Sequence, residues 1–308
     1  MKRAIKKYWF CFWLCLLLTG CQEAATIPSD AGDRAEAVRG VKEEGEGVKK
    51  EDGLDIRGLR VSCIDVGKGD CILLQTKTYT LLLDTGYEQT ADRVITYLKE
   101  NGVSRIDTMV ITHFDKDHEG GAAGILSAFR VGKIYLPDYT GHGEQYRKMV
   151  AALQKSDAGT ERVSDRVFLE ADGATFTVES SGIVYDAWEE NDNDLSLLLK
   201  AEYGKDSYLF TGDLEKKGIK AFLEREEGRH YDVCKLPHHG DGNKKTDDLL
   251  DSVTPKIVLV TDGEEEPMED EVCALLTQRQ TDYYTSLQNG TIVIEGDGNG
   301  NYKISKEK

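Results

Sequence analysis

Residues 111–121 constrain this chain more than any other segment, because they place two imidazoles and two carboxylates within six positions. These groups belong to His113, Asp115, Asp117 and His118, which follow directly after an apolar run typical of a buried strand. A loop that follows a strand can bring side chains to one point, because the sheet holds the end of that strand rigid. Neutral nitrogen and anionic oxygen donors are the ligands that divalent metal ions prefer in proteins. The segment therefore predicts a metal site, and a solvated acidic turn is the alternative.

From residue 59 onward, apolar runs alternate with segments of helical spacing. Most of the runs are apolar at nearly every position, which is typical of strands in sheets that helices cover on both sides. We therefore predict an α/β sandwich built from two similar halves. Strands are expected at 59–65, 71–75, 80–84, 106–112, 133–136, 175–178, 195–201, 207–211, 231–236, 256–260, 282–286 and 291–295, and helices at 91–101, 121–130, 144–155, 215–226 and 271–278.

Three further predicted strand ends carry groups that could meet the central loop. Asp84 follows the strand at 80–84, Asp213 comes just after the strand at 207–211, and His238 and His239 follow the strand at 231–236. Four strand ends with ligand-type side chains favour one shared site. For Asp213 taken alone, an acidic N-cap of the next helix is the alternative.

The order and spacing of these four segments resemble the metal motifs of the metallo-β-lactamase superfamily, whose fold is an αββα sandwich. A closer resemblance is to the hydrolase domain of ComEC-type competence proteins. Asp-Val-Gly-Lys-Gly-Asp at 65–70 resembles their Asp-Val-Gly-Gln-Gly-Asp, and Asn-Asp-Leu-Ser-Leu at 193–197 resembles their Asn-x-x-Ser-Leu. Asn-Gly-Thr-Ile at 289–292 resembles their closing strand. The resemblance extends from about residue 59 to residue 297.

This resemblance implies a site for two divalent metal ions, zinc or manganese, that activate water between them. One ion would be held by His113 and Asp115, and Asp213 would bridge to the other. The second ion would be held by Asp117, His118 and one of two adjacent histidines, of which His238 is preferred and His239 is expected beside the substrate. Asp117, Asp213 and His239 are therefore the expected catalytic residues, and Asp84, Asp65 and Asp70 are expected to support the ligands from behind.

Three departures from the family pattern bear on the chemistry. Asp115 stands where most of the superfamily has histidine, which makes the first site richer in oxygen donors and favours manganese or a mixed pair. No histidine lies between His142 and His230, so the usual third ligand of the first ion is missing, and His142 is expected on the surface. Asp241 replaces a serine of the competence proteins, and Glu266 replaces the histidine of a His-Pro motif.

The first twenty residues predict a secretory signal. A basic start is followed by a short apolar stretch and by Leu-Thr-Gly-Cys at 18–21, which resembles a bacterial lipobox with Cys21 as the acylated residue. An uncleaved anchor is the alternative. Residues 21–57 are rich in charged and small residues and lack aromatic ones, so we expect a disordered acidic tether. Residues 58–308 would form the hydrolase domain, held at the extracytoplasmic face of the bacterial cell envelope.

The net charge of the chain is −17, and removal of residues 1–20 would take away four positive charges and lower it to −21. Such a surface disfavours strong non-specific binding of nucleic acid. The motifs predict a phosphodiesterase or nuclease acting on a phosphodiester or another small molecule. An ester, lactone or lactam hydrolase, or a non-catalytic metal-containing binding protein, is the alternative.

Two further expectations concern cysteines and lysines in the predicted domain. Cys63, Cys71, Cys234 and Cys273 lie in apolar runs and are expected to be buried free thiols, although one disulfide is compatible with export. Lys116, Lys235, Lys244 and Lys245 lie next to motif residues and are expected to be solvated.

Overall fold

The computed structural model describes residues 55–184, 192–226 and 228–308. The signal peptide predicted at 1–20, the acylated Cys21 and the tether as far as residue 54 lie outside the described residues. Within the described ranges, no helix combines the length and the apolar character needed to cross a membrane.

The described chain forms fifteen strands. They are β1 Leu59–Cys63, β2 Ile72–Gln75, β3 Thr80–Leu83, β4 Arg105–Val110, β5 Arg130–Pro137, β6 Gly159–Val163, β7 Arg166–Ala171, β8 Ala174–Glu179, β9 Leu198–Tyr203, β10 Asp206–Phe210, β11 Val233–Lys235, β12 Ile257–Val260, β13 Asp282–Thr285, β14 Ile292–Gly296 and β15 Tyr302–Lys306. Eight of them form one sheet in the order β15–β14–β1–β2–β3–β4–β5–β6, and the other seven form a second sheet in the order β13–β12–β11–β10–β9–β8–β7.

Helices accompany both sheets. The α-helices are α1 Ala91–Glu100, α2 Lys116–Glu119, α3 Ala122–Ala128, α4 Gly143–Leu153, α5 Lys216–Arg225, α6 Thr246–Val253, α7 Asp270–Arg279 and α8 Ser286–Asn289, and short 3₁₀ helices lie at Glu88–Thr90, Asn193–Leu195 and Pro237–Gly240. The predicted strand at 282–286 stops one residue early, because Thr285 caps α8 by accepting a hydrogen bond from the Gln288 N–H.

Alternating side chains of each strand divide the core into layers. Val61 and Leu74 of the first sheet pack in one buried cluster with Leu199 and Phe210 of the second, so this cluster lies between the sheets. Neighbouring positions face outward to helices: Leu73 packs with side chains of α1, α3 and α4. On the second sheet, Leu198 and Leu209 pack with α5 and α6 in the same way. The layers are helix, sheet, sheet and helix, which confirms the predicted αββα sandwich.

The segment 158–190, in which the sequence predicts only the strand at 175–178, also contains all of β6 and β7. Strand β7 lies at the edge of the second sheet and alternates exposed with half-buried side chains. Its exposed positions include charged residues and Phe168, so it lacks the continuous apolar run that marks the central strands. The four cysteines of the predicted domain are free thiols; Cys273 is partly exposed, and the other three are buried.

The strand directions explain why the polar strand ends converge. β3 runs parallel to β4, and β10 runs parallel to β11, so each pair presents its carboxyl ends at one edge of its sheet. The loops that leave these four strands carry residues 84, 113–118, 211–213 and 237–240. Ligand sites of α/β sheets commonly lie at such carboxyl ends.

Lys200 on β9 provides a test of how the second sheet is held to α5. Its ammonium lies 2.8 Å from Glu179 Oε1 and 2.6 Å from Glu226 Oε1, and the side chains of Lys200 and Glu179 are buried. We expect Lys200→Met to lower the free energy of unfolding by about 3 kcal/mol, because it leaves a buried carboxylate with less compensating charge. Urea denaturation measures this difference.

The matched control is Lys220→Met, which removes an exposed pair with Glu224 on α5. We expect that substitution to cost less than about 1 kcal/mol, since exposed ion pairs contribute little. Equal effects of the two substitutions would contradict the structural role of Lys200.

Candidate metal centre

Four side chains meet at the carboxyl ends of the strands. One ligand atom from each of Asp117, His118, Asp213 and His239 lies within 4.8 Å of the others. Asp213 Oδ2 is 3.1 Å from His118 Nε2 and 2.9 Å from His239 Nε2. His239 Nε2 is also 3.4 Å from Asp117 Oδ2. Two imidazole nitrogens and two carboxylates therefore surround one point, with Asp213 facing both imidazoles.

The backbone around residues 211–213 explains how Asp213 reaches the cluster. Gly212 has a φ of +52°, and a Cβ atom at this position would come within 2.8 Å of the Ser196 Cβ. Only glycine fits there, and it turns the chain away from β10. The Asp213 N–H then donates to Ser196 Oγ at 3.1 Å. The motif at 193–197 thus contributes a serine that fixes the position of the Asp213 backbone.

The two adjacent histidines occupy different environments. His239 is buried, and its Nδ1 lies 2.9 Å from Thr261 Oγ1, which leaves Nε2 facing the cluster. His238 is partly exposed and lies 3.9 Å from Glu215 and 3.8 Å from Asp241. The preference for His238 as a ligand, with His239 beside the substrate, is therefore the reverse of what this geometry favours.

The backbone explains why His239, and not His238, faces the cluster. His238 and His239 have φ values of +48° and +55°, and both are in the left-handed region. Side chains rarely tolerate this conformation, and two consecutive residues in it reverse the chain sharply. The sequence-based preference for His238 rests on its position directly after Leu236 and Pro237, which gives no indication of this chain reversal.

His113 carries an observation that points to a second cation. Its Nε2 is buried and has no hydrogen-bond partner among the described residues, whereas its Nδ1 lies 3.0 Å from Thr112 Oγ1. The Nε2 atom faces Asp115 Oδ2 at 3.7 Å and Asp213 Oδ2 at 4.0 Å. A buried nitrogen without a partner, next to two carboxylate oxygens, fits a metal ion between them. The donor set of His113, Asp115 and Asp213 thus suits the cation that the motif predicts.

Asp84 lies behind the cluster and orients His118. It is fully buried, and its Oδ2 lies 2.8 Å from His118 Nδ1. The N–H and the hydroxyl of Thr112 both donate to the same carboxylate at 2.8 Å. A carboxylate on Nδ1 fixes the tautomer in which Nε2 is free to bind a metal ion.

Asp70 and Lys235 form a second layer beneath the cluster. Lys235 Nζ lies 2.6 Å from Asp70 Oδ2, 3.4 Å from Asp213 Oδ1 and 3.1 Å from the Gly212 carbonyl, and the lysine is fully buried. Thr261 donates to the other oxygen of Asp70 at 2.7 Å. The expectation that Lys235 is a solvated lysine is wrong. Its place at the end of an apolar strand was the signal for a buried cation.

Asp65 does not join this layer. It accepts a hydrogen bond from the Gly67 N–H at 3.1 Å and lies 3.4 Å from Arg93 and 3.5 Å from Lys308. These contacts hold the loop between β1 and β2 against α1 and the end of the chain. The expected role of Asp65 behind a metal ligand has no support in this geometry.

His142 is exposed at the start of α4, as expected.

The electrostatics of the cluster keep its carboxylates ionised. Burial by itself would lower the pKa of His118, but the carboxylates of Asp213 and Asp84 outweigh it and hold that pKa well above its usual value. Burial likewise would raise the pKa of Asp213, but the two imidazoles of His118 and His239 and the ammonium of Lys235 hold it well below the usual range. Asp213 is therefore an anionic donor at neutral pH.

The rim of the cluster brings together the positions at which the chain departs from the competence-protein motifs. Lys68 lies 3.2 Å from Asp241 Oδ2 and also forms an ion pair with Glu266. Lys68, Asp241 and Glu266 stand where those motifs have glutamine, serine and histidine. Lys68, Asp241 and Glu266 thus form one ion triad next to His238, whose Nε2 lies 3.8 Å from Asp241 Oδ2, and two carboxylates lie at this rim of the site.

Comparison with known proteins agrees with this architecture. A family model described as the metallo-beta-lactamase superfamily matches residues 64–260. Among solved structures, the metallo-beta-lactamase fold protein YhfI from Bacillus subtilis aligns with a TM-score of 0.53 at 13% identity, over 78% of this chain and 100% of that chain. At that identity the likeness shows the fold alone.

Curated relatives also match in sequence. ComE operon protein 3 of Bacillus subtilis is 26% identical over 253 residues, which cover 75% of this chain and 32% of that protein. Recombination protein 2 of Haemophilus influenzae is 27% identical over 213 residues, which cover 68% of this chain and 25% of that protein. The chain therefore spans about a quarter to a third of the length of these relatives. The matches confirm the resemblance to competence proteins of this type.

The two histidines allow a direct test of the centre. We expect His239→Ala to lose about one equivalent of bound metal per chain, because its Nε2 faces the other donors of the cluster. His238→Ala is the matched control, and its metal content should equal that of the wild type. Elemental analysis of the purified proteins after dialysis measures both. Metal loss in His238→Ala with none in His239→Ala would contradict the arrangement described above.

Proposed function

Since the chain belongs to the metallo-beta-lactamase superfamily, whose fold supports a metal-dependent hydrolase, we propose that it is a binuclear phosphodiesterase. The observation that carries the proposal is the carboxylate-rich donor set, in which the buried Nε2 of His113 faces Asp115 and Asp213. Oxygen-rich sites suit ions such as manganese, whereas the zinc site of lactamases is rich in histidine.

The charge of the centre supports two divalent ions. Five carboxylates surround it, those of Asp70, Asp84, Asp115, Asp117 and Asp213. Lys235 offsets one negative charge, and two divalent cations would offset the other four. Glu119 adds none at neutral pH, because burial and, to a lesser extent, the nearby Asp115 raise its pKa to about 9. Neutral histidine ligands would then leave the buried centre without net charge.

Each donor has a place in the proposed arrangement. His113 and Asp115 would hold one ion, Asp117, His118 and His239 would hold the other, and Asp213 would face both. Two ions bound there would lower the pKa of a water molecule and stabilise negative charge on phosphoryl oxygens.

The surrounding residues keep these donors in position. Asp84 holds His118 in the tautomer whose Nε2 faces the cluster, and Thr261 does the same for His239. Lys235 keeps Asp213 ionised and holds its Oδ1, so that Oδ2 faces the imidazoles. These supporting groups are buried, which strengthens the charge interactions among them.

The rim favours a small phosphodiester over a long nucleic acid. Asp241 and Glu266 place two carboxylates at the mouth, and they occupy Lys68, the cation that would otherwise contact a substrate phosphate there. The chain as a whole carries a net charge of −17. A polyanion would be repelled at long range, whereas a diester with one phosphate would meet the ions without that cost.

Hydrolysis of a bis-aryl phosphodiester tests the proposed function. We expect the full chain, freed of metal and supplied with Mn²⁺ or Zn²⁺, to hydrolyse this diester, with Mn²⁺ giving the faster rate. Asp213→Asn should reduce the rate at least about a hundredfold, as expected for loss of a group that stabilises charge in the transition state. Asp282→Asn, at an exposed position on β13, is the control and should retain the rate.

Other substrates in the same assay separate the alternatives. Faster turnover of an aryl ester or a β-lactam than of the diester would contradict the phosphodiesterase, and metal binding without turnover would favour a binding protein. Single-stranded DNA should be cleaved more slowly than the small diester. The double variant Asp241→Ser and Glu266→Gln should reduce the difference in rate between single-stranded DNA and the small diester, because it removes both rim carboxylates.

We also propose that the protein is exported and anchored through an acylated Cys21, on the basis of the lipobox-like sequence at 18–21. Cys21→Ser removes the thiol that would accept the lipid. We expect the variant to retain its signal peptide and to lack lipid, as measured by mass spectrometry of the membrane fraction. A shortened and lipidated variant would show that Cys21 is not the modified residue.

A further inference from the structure

A cavity of about 660 Å³ opens on the outer face of the eight-stranded sheet, between α1 and the hairpin of β14 and β15. It shares no residue with the metal centre. Its lining includes Arg60, Tyr97, Asn101, Val293 and Ser305. We propose that this cavity binds a small organic acid, whose carboxylate or phosphate group is held by Arg60.

Arg60 lies in the cavity because of strand alternation. Its neighbours Leu59 and Val61 point into the core between the sheets, so the Arg60 side chain points to the opposite face of β1. There it is only 8% exposed, although it ends in a guanidinium group. Arg60 is therefore a buried cation at the floor of an open cavity.

The hydrogen bonds of Arg60 go to neutral groups. One terminal nitrogen donates to Ser62 Oγ at 3.1 Å and to Gln75 Oε1 at 3.0 Å, and the other donates to Asn101 Oδ1 at 3.0 Å. No carboxylate lies within 4.0 Å of Arg60 in the part of the chain that the structure describes. These three bonds fix the plane of the guanidinium and leave two of its five N–H donors available.

The other buried cations of the described chain contact carboxylates, whereas Arg60 does not. Lys200 contacts Glu179 and Glu226, and Lys235 contacts Asp70 and Asp213. Buried charges in proteins are normally paired in this way, because an isolated ion loses its hydration without compensation. Arg60 alone among the buried lysines and arginines in these ranges lacks such a partner, and a bound anion would supply it.

The remaining lining residues define the rest of the ligand. Tyr97 lines the cavity with its side chain, and its buried hydroxyl has no hydrogen-bond partner in the described ranges. Ile64 and Val293 supply apolar surface beside it. The exposed lining residues carry three negative charges and two positive ones, a net charge of −1 that does not attract a polyanion; they are Asp92, Glu100, Glu307, Arg93 and Lys306. These features fit a small acid with an apolar or aromatic body, and they do not fit nucleic acid.

Calorimetric titration of the full chain with benzoate, phenyl phosphate and inorganic phosphate tests the proposal. We expect saturable binding of benzoate or phenyl phosphate. Arg60→Lys keeps the charge but loses the planar pair of donors, so it should weaken binding at least about tenfold. Ser305→Trp should weaken binding as strongly by filling the cavity while leaving Arg60 in place. Ser305→Ala is the matched control and should bind within about twofold of the wild type.

Metal content provides the second measurement. It should be unchanged in all three variants, because the cavity shares no residue with the metal centre, and this separates the proposal from the phosphodiesterase function. Absence of saturable binding of both organic acids to the wild type would overturn the proposal. Binding that survives both Arg60→Lys and Ser305→Trp would place the acid elsewhere. Inorganic phosphate that binds as tightly as phenyl phosphate would overturn the assignment of an apolar body.

Discussion

The buried ammonium of Lys235 is the interaction on which the centre depends. It leaves the end of β11 in the second sheet and contacts Asp70, which belongs to the loop between β1 and β2 of the first sheet. It also contacts Asp213, whose other oxygen faces both His118 and His239. One cation thus connects the two sheets at the carboxyl ends of their strands. It also orients Asp213, the carboxylate that faces both imidazoles. Without this cation, the buried carboxylates of Asp70 and Asp213 would repel each other with little screening by water.

The need of a buried polar or charged group for a partner also distinguishes the two proposed binding sites of the molecule. A charge withdrawn from water needs a partner, and Lys235 and Lys200 find carboxylates within the fold. Two groups are left incomplete in the described part of the chain: His113 Nε2 lies within 4.0 Å of two carboxylates but has no hydrogen-bond partner, and Arg60 is bonded to neutral groups only. Each of these two incomplete groups indicates something that binds from outside the chain. The first marks a cation site between the sheets, and the second marks an anion site on the outer face.

Much of the architecture could be predicted, because the central strands are apolar at nearly every position and the loops between them carry polar motifs. Strands β6, β7 and β15 were not predicted, since all three lie at sheet edges and lack that continuous apolar signal. The motif order also indicated that Asp117, His118 and Asp213 would meet, and the structure brings them within 4.8 Å of one another. Strand order and chain direction, not residue spacing, account for that convergence.

The sequence by itself determined the αββα sandwich, its superfamily and the types of donor at four strand ends, because these follow from local periodicity and short motifs. Only the tertiary structure decided which donors face one another. His239 enters the cluster because two consecutive left-handed residues reverse the chain, and that conformation is uncommon even for histidine. The apolar strand before Lys235 indicates a buried position, but its partner Asp70 lies 165 positions earlier in the sequence and is identified only by the fold. Contacts between distant segments are set by packing of the whole fold, and they decide burial, pairing and charge.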